Sequence, residues 1–234
     1  MKTYQEIYKE REEQLQKEIA NLRNKRVFLN KIENEKVVPM FSYEQFEEIL
    51  KINIQINLLA KNKKTKYQIT KQNEYIIKEL YLYLIGSQEF KGDLFKGIYI
   101  SGNNGTGKTI LIKGIIKVIQ DFSIKIITHL HSKQVAGYLK EKGDNHLKTR
   151  PLYIEDIGKE EVKINDFGTV KMPIIDLFST RYEYGAWTFC CCNYKLETIE
   201  KKYTKTISDR FKDIFNFFEL TGESWRGEKN NNLN

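Results

Sequence analysis

The octapeptide Gly102-Asn103-Asn104-Gly105-Thr106-Gly107-Lys108-Thr109 separates two apolar stretches, Gly97-Ile98-Tyr99-Ile100-Ser101 and Ile110 to Phe122. The first stretch is short and reads as a strand, whereas the second spaces Ile, Leu and Val on a helical period. A G-x-x-x-x-G-K-T run between a strand and a helix is a phosphate-binding loop. Glycines let backbone N–H groups converge on phosphate oxygens, and the N-terminus of the following helix adds a favourable dipole. Lys108 is expected to contact the β- and γ-phosphates of a nucleoside triphosphate, and the Thr109 hydroxyl to help hold Mg²⁺.

Downstream, short apolar runs alternate with helical ones. Ser123 to Thr128, Leu152 to Ile154, Trp187 to Cys192 and Phe215 to Leu220 read as strands. Ser132 to Lys142, Pro173 to about Tyr182, and Leu196 to Lys212 read as helices. Such alternation predicts a parallel sheet covered on both faces. Upstream, Tyr4 to about Arg26 reads as a charged, partly amphipathic helix, and Pro39 marks a break. Ser42-Tyr43-Glu44-Gln45 has the form of a capping box ahead of Phe46, Ile49 and Leu50. Ile52-Asn53-Ile54-Gln55-Ile56-Asn57-Leu58 alternates with period two, yet the cap before it and the lack of bounding turns favour helix. Lys61-Asn62-Lys63-Lys64-Thr65-Lys66 is a basic connector, and the stretch from Thr70 to Ile85 is helical up to Gly86. These patterns divide the chain into a helical region, 1–69, expected to bind a partner, and an α/β core, 70–234. The tail from Lys229 to Asn234 is expected to fray.

Three further places carry chemistry. The strand in Pro151-Leu152-Tyr153-Ile154-Glu155-Asp156-Ile157-Gly158 ends in adjacent acids. One acid can orient Mg²⁺ and the next can polarise an attacking water. One β–α unit separates this strand from the phosphate-loop helix, which allows the two strand tips to be neighbours. Asn193, at the end of the next strand, is either a turn residue or a carboxamide bonded to the attacking water or the γ-phosphate. Arg210, in Ser208-Asp209-Arg210-Phe211, is either a surface charge or a guanidinium offered to a phosphate in a neighbouring subunit.

The chain of 234 residues is 40% hydrophobic, enough to bury a real core, and carries a formal charge of +8. That excess suggests an anionic partner, nucleic acid or nucleotide. The opening Met1-Lys2-Thr3-Tyr4 leads into a charged stretch, not a secretory leader, and no apolar run is long enough to span a bilayer. The three cysteines are consecutive, Cys190-Cys191-Cys192, and suit a buried central strand better than a disulfide or metal framework. A cytoplasmic location is expected, with no membrane contact.

Together these elements resemble the AAA+ ATPases, and more closely their DnaC/IstB branch, over roughly residues 70 to 227. The most telling parts are Gly102 to Thr109, Pro151 to Gly158, Glu197 to Phe211 and the ending Phe218-Glu219-Leu220-Thr221-Gly222-Glu223-Ser224-Trp225-Arg226. The resemblance implies a five-stranded P-loop NTPase sheet of the AAA+ (ASCE) type with helices on both faces. A small helical region precedes it, and no full C-terminal lid follows. It also implies ATP with Mg²⁺ as cofactors, ATP-dependent homo-oligomers and single-stranded DNA binding. Lys108 and Thr109 become the phosphate and metal contacts, and Glu155 the metal-associated acid. Asp156 becomes the water-activating acid, Asn193 the first sensor and Arg210 the arginine finger; Arg226 stands where a phosphate-sensing or DNA-facing residue belongs. Two departures stand out. The family order is Asp then Glu, whereas this chain has Glu155 then Asp156, which points to slow hydrolysis. A second arginine is also missing from Tyr203-Thr204-Lys205-Thr206.

The resemblance favours a DnaC-type helicase loader that acts on a replicative helicase, with Lys113, Lys117, Lys133 and Lys171 as DNA-facing candidates. An IstB-like helper of a transposase is the alternative, and a non-hydrolysing, ATP-switched adaptor a third reading. A small-molecule kinase fits less well, because little chain remains for a substrate lid.

Overall fold

The computed structural model describes residues 42–225, apart from Lys64, Ile124 and Phe167. The helix read over Tyr4 to Arg26, Arg226 and the tail from Lys229 lie outside the described residues. The first helix, α1 (Tyr43–Leu59), starts at the expected box: Gln45 N–H donates to Ser42 Oγ, and Gln45 Oε1 accepts from Ser42 N–H. The period-two segment is helical. Its alternation sends Ile54 and Leu58 inward and leaves Ile52 and Ile56 exposed on the opposite side. Then follow α2 (Glu74–Leu84), β1 (Gly97–Ser101) and α3 (Lys108–Phe122). After these come β2 (Thr128–His131), α4 (Ser132–Lys142), α5 (Asn145–Thr149) and β3 (Leu152–Glu155). A hairpin, β4 (Ile164–Asp166) and β5 (Thr169–Lys171), precedes α6 (Pro173–Tyr184) and β6 (Thr188–Cys191). The described chain closes with α7 (Leu196–Lys202), α8 (Lys205–Ile214) and β7 (Phe215–Glu219).

The main sheet has five strands in the order β2-β3-β6-β1-β7, every neighbouring pair parallel. Alternation along each strand sorts the two faces. Ile98, Ile100, Tyr153, Phe189 and Cys191 face α1, α2 and α3; Tyr99, Leu152, Ile154, Cys190 and Cys192 face α6, α7 and α8. The cysteines are buried and unbridged, as small residues of a central strand should be. Helix α1 packs against α3 so closely that a Cβ on Gly114 would lie 2.5 Å from Ile54 Cγ1. The boundary drawn near residue 70 therefore falls inside one continuous apolar cluster shared by α1, α2 and α3.

Two expectations need correction. The second strand is Thr128–His131, not Ser123 to Thr128, because its partner β3 fixes the register with Thr128 opposite Leu152. Ile126, which the alternation placed in that strand, is exposed instead. The stretch from Leu196 to Lys212 is two helices, broken at Tyr203 because Thr204 caps a new one, its hydroxyl accepting from Ile207 N–H. The β4–β5 hairpin has no counterpart in the sequence reading, since neither strand has a buried face to give it a pattern. One buried group holds the lower end of the sheet. Arg181, fully buried on α6, donates to the carbonyls of Leu147, Arg150 and Trp187 and to Thr188 Oγ1.

Candidate nucleotide site

The loop after β1 is shaped by glycine. Gly102, Gly105 and Gly107 all have φ in the left-handed region, at 144°, 85° and 95°. At Gly102 a Cβ would lie 2.0 Å from the Leu220 carbonyl oxygen, so only glycine lets the chain pass there. Gly107 caps α3, whose first-turn N–H groups have no partner within the helix, and has open space where a Cβ would stand. Lys108 is buried, and its ammonium donates to the carbonyls of Gly102 at 2.9 Å and Asn103 at 2.6 Å. This folds the cation back over the loop that it follows. A helix N-terminus, a left-handed glycine turn and a buried ammonium suit a phosphate chain.

The tips of β1 and β3, expected to be neighbours, are one strand apart, with β6 between them. Thr109 Oγ1 lies 3.6 Å from Cys191 Sγ on β6, and Cys191 Sγ lies 3.0 Å from the Tyr153 hydroxyl on β3. Glu155 shares the face of Tyr153, the same face as α3. Its Oε2 is 2.8 Å from Lys113 Nζ on α3 and 2.9 Å from His129 Nε2 on β2. Burial raises the Glu155 carboxyl, but hydrogen bonds from His129 and Lys113 outweigh it and hold the pKa down to about 2. A depressed carboxyl adds stability above its unfolded range, and that stability is lost as pH falls toward about 2. The hydroxyl of Thr109 and the carboxylate of Glu155 are hard oxygen donors, which fit Mg²⁺.

Asp156 follows β3 with φ 58°, the left-handed region, so its side chain leaves the sheet on a different course from Glu155. Its Oδ2 lies 2.6 Å from Lys159 Nζ and 3.6 Å from His131 Nε2, and its carbonyl accepts from Ser132 Oγ at 2.7 Å. Asn193 lies just past β6, half-buried. Arg210 is on α8, where its guanidinium donates to Ser179 Oγ and sits 5.6 Å over the Tyr182 ring. Two of the DNA-facing candidates besides Lys113 are engaged by acids: Lys117 by Asp121, and Lys171 by Asp166 at 2.6 Å. Among the described residues no helix is long and apolar enough to cross a membrane.

Sequence reasoning missed the cover of the loop. Leu220 N–H donates to the Ser101 carbonyl at 2.8 Å, and Trp225 N–H to the Gly105 carbonyl at 3.1 Å. The strand after α8 thus returns its own continuation to the phosphate loop. Trp225 faces Tyr67 with ring centroids 6.4 Å apart, and a Cβ on Gly222 would lie 2.4 Å from Gln72 Oε1. Residues 67–72 and 220–225 therefore flank the loop. The one signal was the likeness of Phe218 to Arg226 to the family's ending, which did not say that this segment returns to the loop. His129 and His131 were missed as well, since a lone histidine at a strand end carries no pattern.

No protein-family model and no curated protein matches the sequence. Solved structures do. The DnaC helicase loader matches with TM-score 0.53 at 16% identity, over 67% of this chain and 94% of that one. The fold is the DnaC-like AAA+ fold. DnaI matches with TM-score 0.51 at 18% identity, over 82% of this chain and 99% of that one. A primosome component from Streptococcus pyogenes serotype M3 matches with TM-score 0.52 at 19% identity, over 67% and 84%. The five-stranded sheet expected for this DnaC-like fold is the one observed.

Proposed function

We propose that the chain is an ATP-binding and slowly ATP-hydrolysing replication protein of the helicase-loader type. The observation that carries this reading is the glycine-shaped loop with buried Lys108, set beside Glu155 on the same face of a DnaC-like sheet. The loop would bind the triphosphate, with Lys108 on the β- and γ-phosphates, and Thr109 and Glu155 would hold Mg²⁺. Bound Mg²⁺ would neutralise charge on the phosphates. Asp156 would orient and deprotonate the attacking water, Asn193 would bond that water or the γ-phosphate, and Arg210 would serve a neighbouring subunit's site. Hydrolysis is slow in this reading because Asp156 carries one methylene fewer than the usual Glu and is engaged by Lys159. That same engagement favours the second reading, an ATP-switched adaptor that does not hydrolyse.

Likeness to DnaC and DnaI supports a replicative helicase as partner, and DnaA bound to AMPPCP and single-stranded DNA matches at TM-score 0.50 over 49% of its own length. The exposed lysines Lys61, Lys63 and Lys66 of the basic connector, with the net charge of +8, support a nucleic-acid partner. Affinity purification with ATP and Mg²⁺, combined with DNA binding at low and moderate salt, tests this. Recovery of a replicative helicase and salt-sensitive single-strand binding are expected. Recovery of a transposase with preference for duplex DNA would replace it with the IstB-like reading, and turnover that survives Asp156→Asn would remove Asp156 from the chemistry.

A further inference from the structure

Two residues beyond Asp156, the backbone of Gly158 is gripped on both sides. Its N–H donates to Glu160 Oε2 at 2.9 Å, and its carbonyl accepts from the Lys202 ammonium at the end of α7. The other oxygen of Glu160 accepts from the Tyr203 hydroxyl. Glu160 is only 8% exposed, and a buried carboxylate is expensive unless its oxygens are bonded. Here both oxygens bridge the acid loop to the joint between α7 and α8. Gly158 has φ 94°, and a Cβ there would lie 2.5 Å from the Tyr194 ring, so the loop also fits tightly against the segment after β6. Ile157 completes the attachment: its N–H donates to the Cys191 carbonyl at 3.3 Å, and its carbonyl accepts from Cys192 Sγ at 2.8 Å. Tyr203 immediately precedes the Thr204 cap of α8, and Arg210 lies on that helix.

We propose that Glu160 is a positioning residue for Asp156, and that its bond with Tyr203 ties the acid loop to the helix that carries Arg210. Asp156 sits in a left-handed conformation that a free loop would not favour, and the grip on Gly158 holds the chain in that turn. A push on α8 from a neighbouring subunit reaches the acid loop through Tyr203 and Glu160. The catalytic consequence rests on the ATPase reading; the contact itself does not.

The test uses the full chain with Glu160→Ala, Glu160→Gln, Tyr203→Phe and the double variant Glu160→Ala/Tyr203→Phe. In nucleotide-free protein, Glu160→Ala should speed amide exchange at residues 156–160 about tenfold or more, and leave residues 102–109 unchanged. With ATP and Mg²⁺ its kcat should fall about tenfold while ATP affinity stays within about twofold. Tyr203→Phe should show a smaller version of both effects, and the double variant should be no worse than Glu160→Ala. Glu160→Gln should retain most of the wild-type behaviour, because its amide accepts from Gly158 N–H and donates to the Tyr203 hydroxyl. Should Glu160→Ala fail to fold, Tyr203→Phe carries the same comparison, since it removes one hydroxyl. Unchanged exchange at 156–160 in Tyr203→Phe and Glu160→Ala overturns the proposal. So does exchange that rises equally at 102–109, or ATP affinity that falls in step with kcat. Wild-type protein that binds ATP without turnover sinks the ATPase reading, while the exchange comparison still decides whether the grip exists.

Discussion

The loop from Gly102 to Thr109 keeps its shape through backbone, whereas Glu155 and Asp156, at the same end of the sheet, are held by side chains from several elements. Three left-handed glycines and two carbonyls around Lys108 define the loop, and a returning backbone segment covers it. The acids instead meet Lys113 from α3, His129 and His131 from β2, and Lys159 from their own turn. A backbone-built site depends on where a Cβ is forbidden, and side chains that point outward from it matter little. A side-chain-built site shifts its electrostatics with each substitution and leaves the fold in place. In the proposed function the first kind would capture the nucleotide and the second would set what happens to it.

The largest expected effect strikes the backbone-built side. Gly102→Ala puts a Cβ 2.0 Å from the Leu220 carbonyl, and ATP affinity should drop about 100-fold, roughly 2.7 kcal/mol, by calorimetric titration. Binding within a factor of two would show that the loop tolerates a side chain where the geometry forbids one. On the other side, Asp156→Asn should cut turnover about 100-fold in steady-state assays while ATP affinity changes less than about twofold. A parallel loss of affinity would merge the two regions into one. A smaller effect is expected at Lys113, 2.8 Å from Glu155, where in the proposed function it would compete with Mg²⁺. Lys113→Ala should lower the Mg²⁺ concentration for half-maximal turnover about threefold, the scale of a partly exposed ion pair. The smallest belongs to Asn104, exposed within the loop: Asn104→Ala should leave ATP affinity within about twofold of wild type.

The same contrast explains what could be read in advance. The phosphate loop is contiguous in sequence, and its glycines and lysine carry their own explanation, so strand, loop and helix were legible together. A parallel sheet followed from the β/α alternation and its five strands from the resemblance, but not the order of the strands. The partners of Glu155 and Asp156 were not legible, because His129 and His131 reach the acids through the register of β2 against β3, and Lys113 through the packing of α3 on the sheet. That register also places β2 at Thr128–His131, which shares only Thr128 with the stretch read as the strand. The cover formed by Tyr67 and Trp225 joins the two ends of the described chain, more than 150 residues apart by their numbering, and no local pattern announces such a contact. Glu160 and Tyr203 were hidden for the same reason. A buried carboxylate in a charged run, Lys159-Glu160-Glu161, looks like solvated surface until the fold closes over it.

The most direct test of the central claim is calorimetric titration of ATP with Mg²⁺ into the wild-type chain and into Lys108→Ala. Saturable binding by the wild type, weakened at least about tenfold by the substitution, is the predicted result. Equal binding by the two proteins, or none by the wild type, would contradict it.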